Sequence, residues 1–168
     1  MAQVVLPLHR RALLTGGAGL TLAAFSWRSA RADEATFATA PERQVTDAQW
    51  RTRLSGASYD VLRHEATERP FTSPLNDEHR AGTFVCRGCD LPLFLSAWKF
   101  DSGTGWPSFF RVNPVNIGTK RDLSIGILRT EYHCARCLGH QGHLFDDGPL
   151  PTGKRYCNNG VALTFKPG

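Results

Sequence analysis

Two short cysteine repeats limit what this chain can fold into more than any other feature. Cys86-Arg87-Gly88-Cys89 and Cys134-Ala135-Arg136-Cys137 stand 44 residues apart, each after a strand-like run, Thr83-Phe84-Val85 and Glu131-Tyr132-His133. Two such knuckles can present four thiolates tetrahedrally to one Zn²⁺. The spacing inside each pair is what geometry constrains, and the gap between pairs is permissive. Two alternatives compete: disulfides in an oxidising compartment, or a thioredoxin-like redox pair. Neither pair, however, sits between a strand and a helical pattern. A site on Cys134, Cys137, His140 and His143 is disfavoured, because the His-x-x-His gap is shorter than metal sites usually use. The expectation is one structural zinc on Cys86, Cys89, Cys134 and Cys137.

Around the knuckles the chain reads as β structure. Thr46-Asp47-Ala48-Gln49 forms a capping-box pattern that opens a short helix, with Trp50 and Leu54 on its apolar side. Beyond it, short apolar runs alternate with Gly, Pro, Asn and Asp: Thr83–Cys86, Leu91–Leu95, Ser124–Leu128, Glu131–Cys134, Gly142–Phe145 and Val161–Phe165. That alternation predicts small antiparallel sheets. At 168 residues the chain has room for one domain plus a tail. No apolar run reaches the roughly 18–20 residues a membrane-spanning helix needs.

The tail reads as an export signal. Arg10-Arg11 precedes a weakly apolar, glycine-containing stretch from Ala12 to Trp27, and Ala30-Arg31-Ala32 follows as a small-residue cleavage pattern. The paired arginines and low hydrophobicity predict the twin-arginine route, and so a periplasmic or otherwise exported protein with no stable membrane insertion after cleavage. That route carries folded proteins, which allows zinc loading in the cytoplasm. The expected organisation is a cleaved signal at 1–32, a flexible linker at 33–45 and a folded domain at 46–168. The signal carries four arginines and no acid, so removing it lowers the net charge from +5 to +1. A near-neutral domain offers no electrostatic case for nucleic acid.

The fifth cysteine, Cys157, lies in Lys154-Arg155-Tyr156-Cys157-Asn158-Asn159-Gly160. On a strand, Arg155, Cys157 and Asn159 share one face. A guanidinium beside a thiol favours thiolate, and an amide can donate to an anion. The local chemistry alone leaves two readings open, a reactive thiol or a small buried hydrophobe. Leu138–Pro149 holds His140, His143, Asp146 and Asp147, a setting for a histidine oriented by a carboxylate. Gly103-Thr104-Gly105-Trp106-Pro107 is an aromatic loop that could wall a pocket or simply sit beside a turn in the core.

Taken together, these stretches resemble the B-class methionine sulfoxide reductases, which act on the R epimer. The resemblance rests on Arg69-Pro70-Phe71, Phe84-Val85-Cys86, Cys86–Cys89, Lys99–Phe109, Arg129-Thr130-Glu131, Cys134–Cys137, Gly142–Gly148 and Arg155-Tyr156-Cys157, in order from about Thr46 to Phe165. It implies a mainly β fold of two antiparallel sheets with a short N-terminal helix, and zinc tying loops at one end. By the same resemblance Cys157 would be the nucleophile. His143 and His140 would bind and protonate the sulfoxide oxygen, and Asp147, Arg155 and Asn159 would form the polar shell. Trp106, with Phe109 of the same motif, would bind the substrate. Many members carry a second, resolving cysteine where this chain has Thr104, so the resemblance is to the one-cysteine subtype. It implies oxidised proteins or free methionine sulfoxide as substrate, a thioredoxin-like or small-thiol reductant, and a monomer.

Overall fold

The computed structural model describes residues 35–168. The expected export signal at 1–32 lies outside the described residues. The fold is mainly β, with two antiparallel sheets and two short helices at the front of the chain.

Helix α1 (Asp47–Arg53) starts at the predicted capping box. The Thr46 hydroxyl accepts from the Gln49 amide, and the Gln49 side chain accepts from the Thr46 amide. The helix buries Trp50 against the core. A second helix, α2 (Gly56–His64), was not foreseen in the sequence. Ser55 caps it, and Ser58, Tyr59, Val61 and Leu62 form its buried face. Residues 35–45 of the stretch expected as a linker are among those described. Pro41–Gln44 forms a 3-10 turn, and the Arg43 guanidinium donates to the carbonyls of Ala135 and Arg136 in the second knuckle. Phe37 packs on the core beneath the Arg136 guanidinium.

The smaller sheet has the order β2 (Pro92–Leu95), β1 (Gly82–Cys86), β9 (Leu163–Pro167). The larger runs β3 (Lys99–Phe100), β4 (Ser108–Phe109), β8 (Arg155–Asn158), β7 (His140–Phe145), β6 (Arg129–Cys134), β5 (Ile117–Asp122). Aromatic side chains join the sheets. Phe94 stacks on Phe109 with ring centroids 4.0 Å apart, and Phe84 meets Phe109 edge-on at 5.0 Å. Each such fully buried ring contributes on the order of 1.5–3 kcal/mol through removal from water. The core is aromatic and aliphatic apart from the knuckle cysteines at one end, and the chain has no methionine beyond Met1.

Two predicted strands change. Ser124–Leu128 is not a strand. It lies in the exposed turn between β5 and β6, where Gly126 takes φ +77°. The last strand begins at Leu163 because Gly160–Ala162 coils into a 3-10 turn.

Candidate active site

Strand β8 sits between β4 and β7, so register alone assembles the site. Cys157 pairs with Ser108 of β4 on one side and with His143 of β7 on the other. The strands approach closely where Gly142 crosses β8. A Cβ there would lie 1.9 Å from the Cys157 carbonyl oxygen. A small pocket of about 110 Å³ opens over the thiol, walled by Trp106, His143, Phe145, Arg129, Thr67 and Asn159. A larger groove, about 660 Å³, lies elsewhere, between α2 and the Glu68–Leu75 segment, and Cys157 does not line it.

Burial pushes the Cys157 thiol above its ordinary value, while the Arg155 charge and hydrogen bonds from Thr104 and Arg155 pull it back. Arg155 is held in turn by a two-pronged pair with Asp147, Nε to Oδ1 and Nη2 to Oδ2, both 2.8 Å. It also lies over the Phe145 ring. Asp147 itself is mostly exposed, so it acts through Arg155 rather than facing the pocket. Behind Thr104 runs a row of hydroxyls: Thr104 to Ser102 at 2.8 Å, and Ser102 to buried Ser108 at 2.8 Å. Ser108 donates to the Trp106 carbonyl. Thr104→Val removes a hydroxyl that lowers the thiol's pKa while keeping the side chain's shape. We expect alkylation of Cys157 at pH 8 to slow about three- to tenfold as the thiol titrates higher. An unchanged pH–alkylation profile would show that Thr104 does not touch the thiolate.

The two histidines occupy different positions. His143 lines the pocket, and its Nε2 faces Asp122 Oδ2 at 2.7 Å. Burial lowers its pKa and the Asp122 hydrogen bond partly restores it. His140 lies behind it, fully buried, with ring centroids 5.4 Å apart. Its Nδ1 is 2.8 Å from Glu131 Oε1, and its Nε2 has no hydrogen-bond partner among the described residues. Burial pushes the Glu131 carboxyl up, but the hydrogen bonds from His133 and His140 outweigh it and hold it down at about 2. The orienting carboxylates are therefore Asp122 and Glu131 from neighbouring strands, not Asp146 and Asp147 beside the histidines in sequence.

Trp106 and Asn159 are set by their own partners. The Trp106 indole N–H donates to the Glu68 carbonyl at 3.1 Å, which fixes the ring over the pocket. Asn159 accepts from the Glu68 amide at 3.0 Å and donates to the Gln141 carbonyl at 3.0 Å, so its side chain is fully engaged in bracing the site. Asn158 is buried as well, and satisfied by the Tyr132 hydroxyl and the Asn159 carbonyl. Phe109 is the misplaced residue of the expected substrate set. It is stacked on Phe94 inside the core, because it follows Ser108 on β4 and so faces the opposite side of the sheet. Thr67, Glu68, Asp122, Glu131 and Gln141 were not foreseen as site residues. Of these, Glu131 and Gln141 stood in stretches the sequence singled out, Arg129-Thr130-Glu131 and Leu138–Pro149.

At the other end of the sheet the four knuckle sulfurs lie within 4.8 Å of one another. Cys86 approaches Cys137 at 3.6 Å and Cys89 approaches Cys134 at 3.4 Å, so each close pair spans both knuckles. All are free thiols, far beyond the roughly 2.0 Å of a disulfide. Tetrahedral zinc with bonds of about 2.3 Å would set sulfurs about 3.8 Å apart, so the set fits a structural zinc. No histidine takes part in this cluster. The Gln141 amide donates to Cys86 Sγ at 3.4 Å, and Arg63 and Arg136 hold the carbonyls of Cys137 and Cys89. Gln141 thus links the cluster to Asn159 through two bonds of one residue.

The SelR domain model matches residues 54–167. The chain is 49% identical over 130 residues to a peptide methionine sulfoxide reductase MsrB of Agrobacterium fabrum, covering 77% of this chain and 96% of that one. It is 53% identical over 123 residues to its counterpart in Bradyrhizobium diazoefficiens, covering 73% and 88%. It is also 54% identical over 120 residues to that of Pseudomonas putida, covering 71% and 90%.

Proposed function

The chain belongs to the SelR-domain family of methionine sulfoxide reductases of the B class, and from that premise we propose that it reduces the R epimer of methionine sulfoxide through the thiolate of Cys157. The observation that carries the proposal is the register that sets Cys157 between Ser108 and His143, under Trp106. The indole takes the methyl end of the substrate. The thiolate attacks the sulfoxide sulfur, and His143 delivers a proton to the oxygen, which is a poor leaving group until protonated. The S–O bond breaks, the hydroxyl passes to Cys157 as a sulfenic acid, and two electrons leave the thiolate to release methionine. His140 and Glu131 hold the histidine pair in place from behind.

Thr104 offers no second thiol, so an external thiol condenses with the sulfenic acid, releasing water, and a further thiol then frees Cys157 as the thiol. Thioredoxin-like proteins or small thiols fit that role. The four knuckle cysteines hold one zinc whose part is structural, because a Cys₄ set leaves no open position for substrate. The leader motif supports export by the twin-arginine route, with repair of exported proteins as the task.

The test is turnover of separated R and S epimers with dithiothreitol as reductant, followed across pH. The reading expects consumption of R alone. The reactive form carries thiolate together with imidazolium. Burial holds the Cys157 thiol above its ordinary range and the His143 imidazole below its own, so the two titrations are pushed apart. Acid beyond the histidine pKa only removes thiolate, and base beyond the thiol pKa only removes imidazolium. The profile of kcat/KM is therefore a broad plateau spanning neutrality, wider than the ordinary histidine and cysteine pKa values would give, falling on both sides. A narrow bell centred near neutrality would show the two groups are not this acid and this nucleophile, and consumption of S would overturn the stereochemical assignment.

A further inference from the structure

The turn between β5 and β6 has a composition that its position does not explain. Residues 123–128 read Leu-Ser-Ile-Gly-Ile-Leu, and Leu123, Ile125, Ile127 and Leu128 are exposed at 64, 60, 65 and 56%. Hairpin turns usually carry polar residues, because an aliphatic side chain standing in water gains nothing from folding. Here four large aliphatics cluster in six residues without a charge among them. A contiguous apolar patch of this kind marks an interaction surface.

The turn is also firmly built. Asp122 Oδ1 accepts from the Ser124 amide at 2.8 Å, and the Gly126 amide donates to the Leu123 carbonyl at 2.9 Å. Asp122 Oδ2 takes Arg129 at 2.5 Å and His143 at 2.7 Å. One carboxylate thus closes the neck of the hairpin and orients the histidine of the pocket. Arg129, the residue after Leu128, itself lines the pocket with Cys157. The apolar tip therefore begins one residue from the active-site wall. Strand β5 is the outer strand of its sheet, so its free backbone edge runs alongside the same tip.

We propose that this hairpin tip is a docking surface for an extended, aliphatic-rich segment of the oxidised protein, flanking the methionine sulfoxide being reduced. The inference rests on the function proposed above and names its substrate class. A methionine that was packed in a protein core is reachable by a thiol only when its segment is out of that core. The side chains beside it are then exposed aliphatics. A segment threading the pocket must cross the rim where Arg129 stands, and the tip gives its apolar side chains a surface to cover. The free edge of β5 offers backbone hydrogen bonds without regard to sequence.

The test uses the whole folded domain and a quadruple variant, Leu123→Ser, Ile125→Ser, Ile127→Ser and Leu128→Gln. Three substrates are compared: N-acetyl methionine-(R)-sulfoxide amide, a peptide with one methionine-(R)-sulfoxide flanked by Leu, Val and Ile, and the same peptide flanked by Ser, Gly and Asn. The native protein is expected to favour the aliphatic peptide over the polar one by about tenfold in kcat/KM, through KM. The variant is expected to lose that preference while keeping its rate on the small amide, which also reports that it is folded. Retention of the preference by the variant, or its absence from the native protein, overturns the proposal. A native dimer that the variant dissolves, with peptide kinetics unchanged, assigns the patch to a second copy instead. Failure of the native protein on the small amide overturns the reading of the site itself, and the docking proposal falls with it.

Discussion

Replacing Cys157 by serine is expected to abolish turnover of methionine-(R)-sulfoxide, with a fall of at least roughly 10⁴-fold in kcat. A hydroxyl is far less ionised and far less nucleophilic than a thiol at neutral pH, and nothing nearby is placed to take over. The other four cysteines are gathered in the knuckle cluster. The substitution should leave the fold intact. Serine is smaller than cysteine by little, and Thr104 and Arg155 remain as hydrogen-bond partners for its oxygen. Thermal unfolding would therefore stay within a few degrees of the native protein, which separates loss of chemistry from loss of structure. Turnover that survives in a folded Cys157→Ser protein would remove Cys157 from the mechanism.

Metal removal is the second large effect. The cluster joins two segments 44 residues apart, and it lies under Trp50, Leu62 and the Arg43 turn. A structural Cys₄ zinc contributes an apparent 10 kcal/mol or more to small domains, about the whole stability of a domain this size. Treatment with a strong chelator, or Cys134→Ser, is expected to unfold the protein at room temperature. Loss of sheet signal should run parallel with loss of turnover, and zinc should restore both in the chelated native chain. A chelated protein that keeps its circular dichroism would show that the knuckles hold together without a metal. Emission of Trp50, which packs against Gly88 of the first knuckle, gives a local reading of the same event.

What the sequence revealed, and what it hid, follows the range of the interactions. The knuckles, Cys157 and the Trp106 loop were legible because their chemistry is written in consecutive residues. Asp122 and Glu131 were hidden because a carboxylate reaches His143 or His140 only through strand register. Asp146 and Asp147, the acids adjacent in sequence, drew attention that belonged to the neighbouring strands. Glu68 and Gln141 work across still longer gaps, holding Trp106 and Asn159 through backbone groups that no composition announces. Phe109 was misjudged by one step of alternation. Ser108 faces the site, so its neighbour must face the core. Helix α2 escaped because its polar face dilutes the apolar residues and a glycine opens it. The alternating aliphatics of Ser124–Leu128 imitate a strand, though no partner covers them.

The aromatic and aliphatic core bears on the protein's own durability. An enzyme that mends oxidised thioethers works where oxidants are present, and it is exposed to the damage it reverses. A core holding methionine would acquire a polar, chiral sulfoxide there and loosen. This one is filled by Phe84, Phe94, Phe109, Tyr132, Leu93 and Leu163. Past its first residue the chain contains nothing it could itself repair. It therefore never competes with its clients for its own thiol, and a bleached copy does not wait on a healthy one for rescue. The sulfur that remains lies in five cysteines, whose sulfenic and disulfide forms thiol reductants reverse.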